Sequence, residues 1–310
     1  MYYFIIRNDY FIKLKLSAIK ITDDIKTFFK KFVPGAIGAG ITQINLFVDT
    51  LVASFITGAV AYLYYAERVS QFPLSLIATA MGTALLPALS RKLAQNDFSG
   101  ANNNYNRAME IICLLTIPAT FALMILSYDI TKVLFERGEF KSSSTLPTAL
   151  ALAFTTIGLP AFSLNKVYSA CFFSLKDTRT PVISSVIAMV LNIVLIGIFL
   201  LIFTQLGFML HLAMPLATSL AGFQNAFYLH YKLKKTSQFT FEAVFYKRLF
   251  KIILATAVMS FVLGLMTIYL PTTKTVLLME ITLGGAAFLA VILLTKAFDL
   301  SELKAVLKRK

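Results

Sequence analysis

Charge is scarce in this sequence. Charged residues make up 14% of the 310, and only 15 are acidic, against about 25% charged in an ordinary soluble domain. Hydrophobic residues make up 58% and the mean hydropathy is +0.76. A core hiding this much apolar surface would leave too little polar surface to meet water. That excludes the pair of soluble domains that length alone allows, and the same numbers exclude disorder, coiled coil and collagen. Cysteine is nearly absent: Cys113 and Cys171 each stand inside an apolar run, which excludes a disulfide scaffold. Histidine is as rare. His211 and His230 fall near opposite ends of one apolar segment, too far apart to share a metal. No HExxH, P-loop or nucleophile elbow is present, and the clustered His, Asp or Glu of a membrane-embedded transferase or hydrolase is missing, so neither an enzyme nor a metal site is expected. A secretory signal is missing too, because the apolar start Tyr2–Ile6 is too short and runs into charges. These absences leave the bilayer as the solvent.

What is present is a series of apolar segments long enough to cross it. A span needs about 20 mostly apolar residues. Eight segments qualify, near 35–56, 61–89, 107–127, 146–171, 181–203, 208–231, 249–270 and 275–297, and they predict an all-α polytopic membrane protein. Pro73 and Pro87 interrupt the second, and Pro118, Pro160 and Pro215 interrupt others. Glu110 and Glu280 are placed near helix ends. Even parity puts both termini on one side. The net charge of +14 then reads as orientation rather than nucleic-acid binding, because the basic residues are spread over several loops. Seven lie in 1–34, three in 90–107, two in 172–180, six in 232–251 and five in the tail, twenty-three in all, against four on the opposite side. By the positive-inside rule both termini are cytoplasmic. Segment 20–33 carries Ile21, Ile25, Phe28, Phe29 and Phe32 on one helical stripe, with Thr22 to cap it, Asp23 and Asp24 in its first turn and Lys30 and Lys31 in its last. It reads as an amphipathic interfacial helix, with a shorter version at Leu300, Leu303 and Leu307. A solvated linker is the alternative for both.

An ionisable group inside a span is costly and is a functional candidate by default. Arg68 stands in Tyr64-Tyr65-Ala66-Glu67-Arg68-Val69-Ser70-Gln71-Phe72-Pro73. Tyr64, Gln71 and Ser75 share its helical face, and Glu67, one residue away, does not. Such an arginine either holds a phosphate by a bidentate contact or snorkels to the outer surface. Asp49 is the second candidate. With Gly38, Thr42 and Asn45 it forms one small and polar stripe, and Asn192 and Thr218 in later spans could approach it. Carboxylate, amide and hydroxyl oxygens suit a small hard cation such as Na⁺, or a proton. A structural hydrogen-bond network between helices is the alternative. Lys166 is a further charge within a span, less central than Arg68. Gly35, Gly38 and Gly40 follow no strand and so make no dinucleotide fingerprint. They are expected to allow close helix packing, as are Gly284 and Gly285.

The block from Pro34 to Arg91 resembles the MurJ/MviN family of lipid II flippases. The residues that carry the likeness are Pro34-Gly35-Ala36-Ile37-Gly38, Tyr64-Tyr65-Ala66-Glu67-Arg68, Phe72-Pro73 and Gly82-Thr83-Ala84-Leu85-Leu86-Pro87-Ala88-Leu89-Ser90. Weaker similarity continues through Leu134-Phe135-Glu136-Arg137-Gly138-Glu139-Phe140 and Asp177-Thr178-Arg179-Thr180-Pro181. The family belongs to the multidrug/oligosaccharidyl-lipid/polysaccharide exporter superfamily. The resemblance implies two rocking six-helix lobes around a cationic cavity, two further C-terminal helices, and transfer of lipid II from the inner to the outer leaflet of the bacterial cytoplasmic membrane in cell-wall synthesis. It places Arg68 on the cavity wall. The eight spans match only the second lobe and the two extra helices. The expected organisation is therefore a linker over 1–33, a six-helix lobe over 34–232, two additional helices over 233–298 and a basic tail over 299–310. A separate polypeptide is expected to supply the other lobe, and the chain is expected to be inactive without it. Two other readings stay open: a cation-coupled drug exporter of the same superfamily, and a non-transporting remnant of a split gene.

Overall fold

The computed structural model describes Ile25, residues 40–41, 43–236 and 239–297, with 76–83 as backbone alone. The amphipathic segments near both termini, with Gly38 and Thr42 of the polar stripe, lie outside the described residues. The described chain is helical from end to end. Helix α1 covers 43–54. It is followed by α2 (Ala59–Ala94), α3 (Phe98–Ile125), α4 (Ser127–Phe135), α5 (Ser142–Ile157), α6 (Leu159–Ser174), α7 (Arg179–Leu206), a 3-10 turn at Leu210–Leu212, α8 (Ala213–Thr236), α9 (Ala243–Tyr269) and α10 (Lys274–Leu294).

Each of the eight apolar segments falls mainly on helix where it is described. Among the described residues, five stretches are long and apolar enough to cross a membrane: α3, α5 with α6, α7, α9 and α10. Helices α2 and α8 are long enough but more polar, with Glu67, Arg68 and Gln71 in one and Gln224, Asn225 and His230 in the other. Helix α7 turns Ile183, Val186, Val190, Val194, Ile198 and Leu201 outward on one stripe, a face that only lipid or another apolar surface can cover.

The prolines behave differently from their reading in the sequence. Helix α2 runs unbroken through Pro73 and Pro87, and α3 through Pro118. Each proline removes one backbone hydrogen bond, and packed neighbours keep the axis continuous around it. Pro215 stands in the first turn of α8, where the missing N–H has no intrahelical acceptor in any case. Pro160 does mark a break. The fourth apolar segment is two helices, divided at Gly158, with Pro160 in the first turn of α6. A short helix, α4, fills the first part of the stretch 128–145. That helix is held by Tyr65 against Phe135 and Phe140, with centroids 4.7 and 5.4 Å apart.

One core joins the lobe to the last two helices. Tyr105, Met109 and Ile112 of α3, Leu152 of α5, Cys171 and Phe172 of α6, Leu229 of α8, Ile252 and Leu263 of α9 and Ile292 of α10 all belong to it. Gly284 lets α10 approach α9 closely, since a Cβ there would meet Leu263 at 2.7 Å, whereas Gly40 and Gly285 face open space. Glu110 and Glu280 are not near helix ends. Glu110 lies well inside α3 and accepts from Arg248 Nη1 at 2.6 Å, and Glu280 is buried within α10. The link before α9 is strapped to α3 by two asparagines. Asn106 donates to the Thr240 carbonyl at 2.9 Å and accepts from the Glu242 N–H at 3.1 Å. Asn102 accepts from the Thr240 N–H at 2.9 Å. Asp97 caps α3 at the Gly100 N–H, 2.8 Å away. Its hydrogen bond from Lys92 holds the carboxyl below the usual carboxylate range.

Candidate functional site: a polar cavity between helices

A half-open cavity of about 610 Å³ lies between α1, α2, α5, α6, α7 and α8. Its wall area is mostly apolar, although about half of the lining residues carry a polar group. These polar residues include three sets.

The first set is on α2. Arg68, Tyr64, Glu67 and Gln71 all line the cavity. The Arg68 guanidinium carbon sits 4.8 Å from the centroid of the Tyr64 ring. A cation at this distance over a ring is attracted by its π face, and a guanidinium can still grip a phosphate or carboxylate in a fork. Glu67 does not compete for Arg68 here: its Oε1 accepts from Gln71 Nε2 at 2.7 Å. Ser75 does not join this set. It is outside the cavity, with its hydroxyl turned back onto the Phe72 carbonyl at 3.0 Å.

The second set joins α1, α7 and α8. Thr218 Oγ1 donates to Asp49 Oδ2 at 3.0 Å and accepts from Asn192 Nδ2 at 2.8 Å. Three residues from three helices thus form one relay. Asn45, one turn before Asp49, lines the same space, and Asn192 is wholly buried behind it. Asn45 Oδ1, Asp49 Oδ1 and Asn192 Oδ1 are buried with no hydrogen-bond partner among the described residues. Unmatched buried acceptors call for a donor or a cation. An all-oxygen set with one carboxylate fits a small hard cation or a proton.

The third set was not singled out in the sequence. Asn165 of α6 and Ser185 and Asn225 of α7 and α8 line the cavity as well. Asn165 Nδ2 donates to the Gly222 carbonyl at 3.2 Å, and its Oδ1 is buried without a partner. Ser184 Oγ donates to Asn225 Oδ1. Gly222 permits this approach, since a Cβ there would lie 2.6 Å from the Phe162 ring. The available signal was an amide pair inside two otherwise apolar spans. Lys166, next to Asn165, is exposed and does not line the cavity. Among the described residues no group of three or more His, Cys, Asp or Glu is arranged to hold a metal ion.

Comparison with known proteins bears on this site. A family model described as lipid II flippase MurJ matches residues 4–284. A curated protein of Rickettsia prowazekii (strain Madrid E), named "Probable lipid II flippase MurJ", is 35% identical over 246 residues, which is 79% of this chain and 47% of that protein. One of the same name from Rhizobium tropici is 33% identical over 313 aligned residues, 96% of this chain and 57% of that protein. A solved structure described as lipid II flippase MurJ in an inward closed conformation superposes with a TM-score of 0.74 at 31% identity, covering 94% of this chain and 58% of that one. An outward-facing transporter of the multidrug-resistance MATE family shares the fold alone, with a TM-score of 0.58 at 19% identity. The chain spans about half the length of the curated relatives it matches.

Proposed function

The chain belongs to the lipid II flippase MurJ family, and on that premise we propose that its cavity receives the phosphorylated head group of lipid II as that lipid crosses the cytoplasmic membrane. One observation carries the reading: Arg68 stands on the wall of a mostly apolar cavity with its guanidinium carbon 4.8 Å from the centroid of the Tyr64 ring. A cation kept at such a place is costly in a membrane, and it returns that cost by neutralising an anionic guest. A pyrophosphate is such a guest, and the planar fork matches its oxygens. The activity is transport and not catalysis, since moving a lipid between leaflets makes and breaks no covalent bond.

A single arginine facing a half-open space is one wall of a container. The other wall belongs to a second lobe, for which the remaining length of the relatives leaves room, whether it comes from the same polypeptide or a separate one. The relay of Asn192, Thr218 and Asp49 is the coupling element in this reading. It binds Na⁺ or a proton, and its charge state biases the helices α1, α7 and α8 that it ties together. In this reading the helices lie in a bacterial inner membrane with both termini in the cytoplasm, an orientation that the distribution of basic residues supports.

A cation exporter is the competing reading, favoured by the carboxylates of Asp49 and Glu67 on the same wall. Binding separates the two. The purified chain in nanodiscs is expected to bind lipid II, Arg68→Ala to lose at least tenfold in affinity, and Arg68→Lys to recover only part. Equal affinity of wild type and Arg68→Ala would refute the flippase reading, and tighter binding of an organic cation than of lipid II would establish the exporter.

A further inference from the structure

Arg68 is exposed, and Glu67, its neighbour in the chain, is engaged by Gln71. A long, flexible cation in that situation gives up rotamer freedom when it binds a guest, unless something already steadies it. The Tyr64 ring, 4.8 Å away and one turn back on the same face of α2, is placed to do so. Tyr64 is itself 52% exposed, so its ring needs a support in turn.

Tyr65 supplies that support. Its ring meets Tyr64 edge to face, with centroids 5.9 Å apart and planes at 76°, a favoured arrangement for an aromatic pair. Successive helical residues point about 100° apart, so Tyr65 braces its neighbour only if it is kept from turning away. Two phenylalanines keep it there. Phe135, at the end of α4, lies 4.7 Å from the Tyr65 centroid, and Phe140 stands edge-on to it at 5.4 Å and 86°. The two phenylalanine rings are 6.1 Å apart. A tight loop brings them together. The Arg137 N–H donates to the Phe135 carbonyl at 2.6 Å, and the Phe140 N–H donates to the Arg137 carbonyl at 3.2 Å. Gly138 adopts a φ of +59° between them, a conformation that strains other residues. Thr145 Oγ1 donates to Glu136 Oε2 at 2.7 Å and ties the loop to α5. Tyr65, Phe135 and Phe140 do not line the cavity, whereas Tyr64 and Arg68 do.

We propose that Tyr65, clamped by Phe135 and Phe140, is a positioning residue for Arg68, so that the loop over 136–141 sets from outside the cavity how firmly the guanidinium is held. The inference rests on the flippase reading, since it needs Arg68 to receive an anion. It adds to the site three rings that do not touch the guest.

The test uses the purified chain in nanodiscs, with polyprenyl pyrophosphate as the probe. Tyr65→Ala is expected to lose about fivefold in affinity, the scale of one aromatic ring contact. Phe140→Ala loses less, in the same direction. Tyr65→Phe keeps the ring and so keeps wild-type affinity. A double-mutant cycle separates positioning from general damage. In an Arg68→Ala background, Tyr65→Ala has no further effect if it acts through the guanidinium, whereas a deformed cavity lowers affinity in both backgrounds alike. If Tyr65→Ala fails to insert, Phe140→Ala takes its place in the cycle. Wild-type affinity in the ring variants, or an equal loss in the two backgrounds, would overturn the positioning role while Arg68→Ala still weakened binding. Equal affinity of wild type and Arg68→Ala would overturn both readings.

Discussion

Asp49 is the residue whose environment is hardest to explain by packing. One of its oxygens takes the Thr218 hydroxyl and the other is buried without a partner among the described residues. If that oxygen meets a cation, Asp49→Asn is expected to weaken the dependence of transport on a Na⁺ or proton gradient far more than it lowers protein level, as measured in proteoliposomes of the complete transporter. Thr218→Val should do the same less severely, because it breaks the relay but leaves the charge. Full ion dependence in Asp49→Asn would make the relay purely structural. This part of the site was legible in the sequence for a physical reason. A carboxylate in an apolar span has to meet polar partners, and few are available, so Asn192 and Thr218 followed from their positions alone. Asn165 and Asn225 were not legible in that way. An uncharged amide costs less to bury, so its presence in a span demands less. Ser75 illustrates the opposite error: it shares the Arg68 face in register, but a serine in a helix can satisfy itself on the carbonyl of its own preceding turn.

At the scale of elements, apolar length placed every long helix, because a bilayer imposes that length directly. Length says nothing of what happens inside a segment. The division between α5 and α6 turns on Gly158, and the same chemistry that breaks the chain there leaves α2 and α3 continuous across three prolines. The strap over 239–242 was equally hidden, since its hydrogen bonds run from side chains to backbone and leave no pattern in the strap's own sequence. It makes a testable element. Asn106→Leu removes the partner of the Thr240 carbonyl and of the Glu242 N–H, at about 1 kcal/mol for each net hydrogen bond. The variant is expected to unfold at a lower temperature in detergent, and limited proteolysis should cut first within 237–242. An unchanged cleavage pattern would mean that the aromatic packing of Phe239 and Phe241 against Tyr105 holds the strap alone.

For the whole molecule, two outcomes are expected. A reporter fused after Lys310 should read cytoplasmic and one inserted within 136–141 should read external, since twenty-three basic residues against four set the orientation. An external C-terminus would mean that the number of crossings is odd. In a bacterium depleted of its own flippase, the chain alone should not sustain growth, because its described wall offers a pyrophosphate one arginine and leaves the far side to hydrocarbon. Sustained growth would point to two copies closing the space between them. The shared core and the asparagine strap carry one more consequence. Helix α9 and the link before it are fastened to α3 at Glu110, Asn102 and Asn106, and α9 and α10 pack into the same interior as α6 and α8. An assembly tied together this way has fewer independent parts than it has helices: if α3, α6 and α8 move as a body, α9 and α10 are expected to be carried with them. A disulfide engineered between Asn102 and Glu242 would then be mechanically silent, while one placed across the mouth of the cavity would stop the cycle.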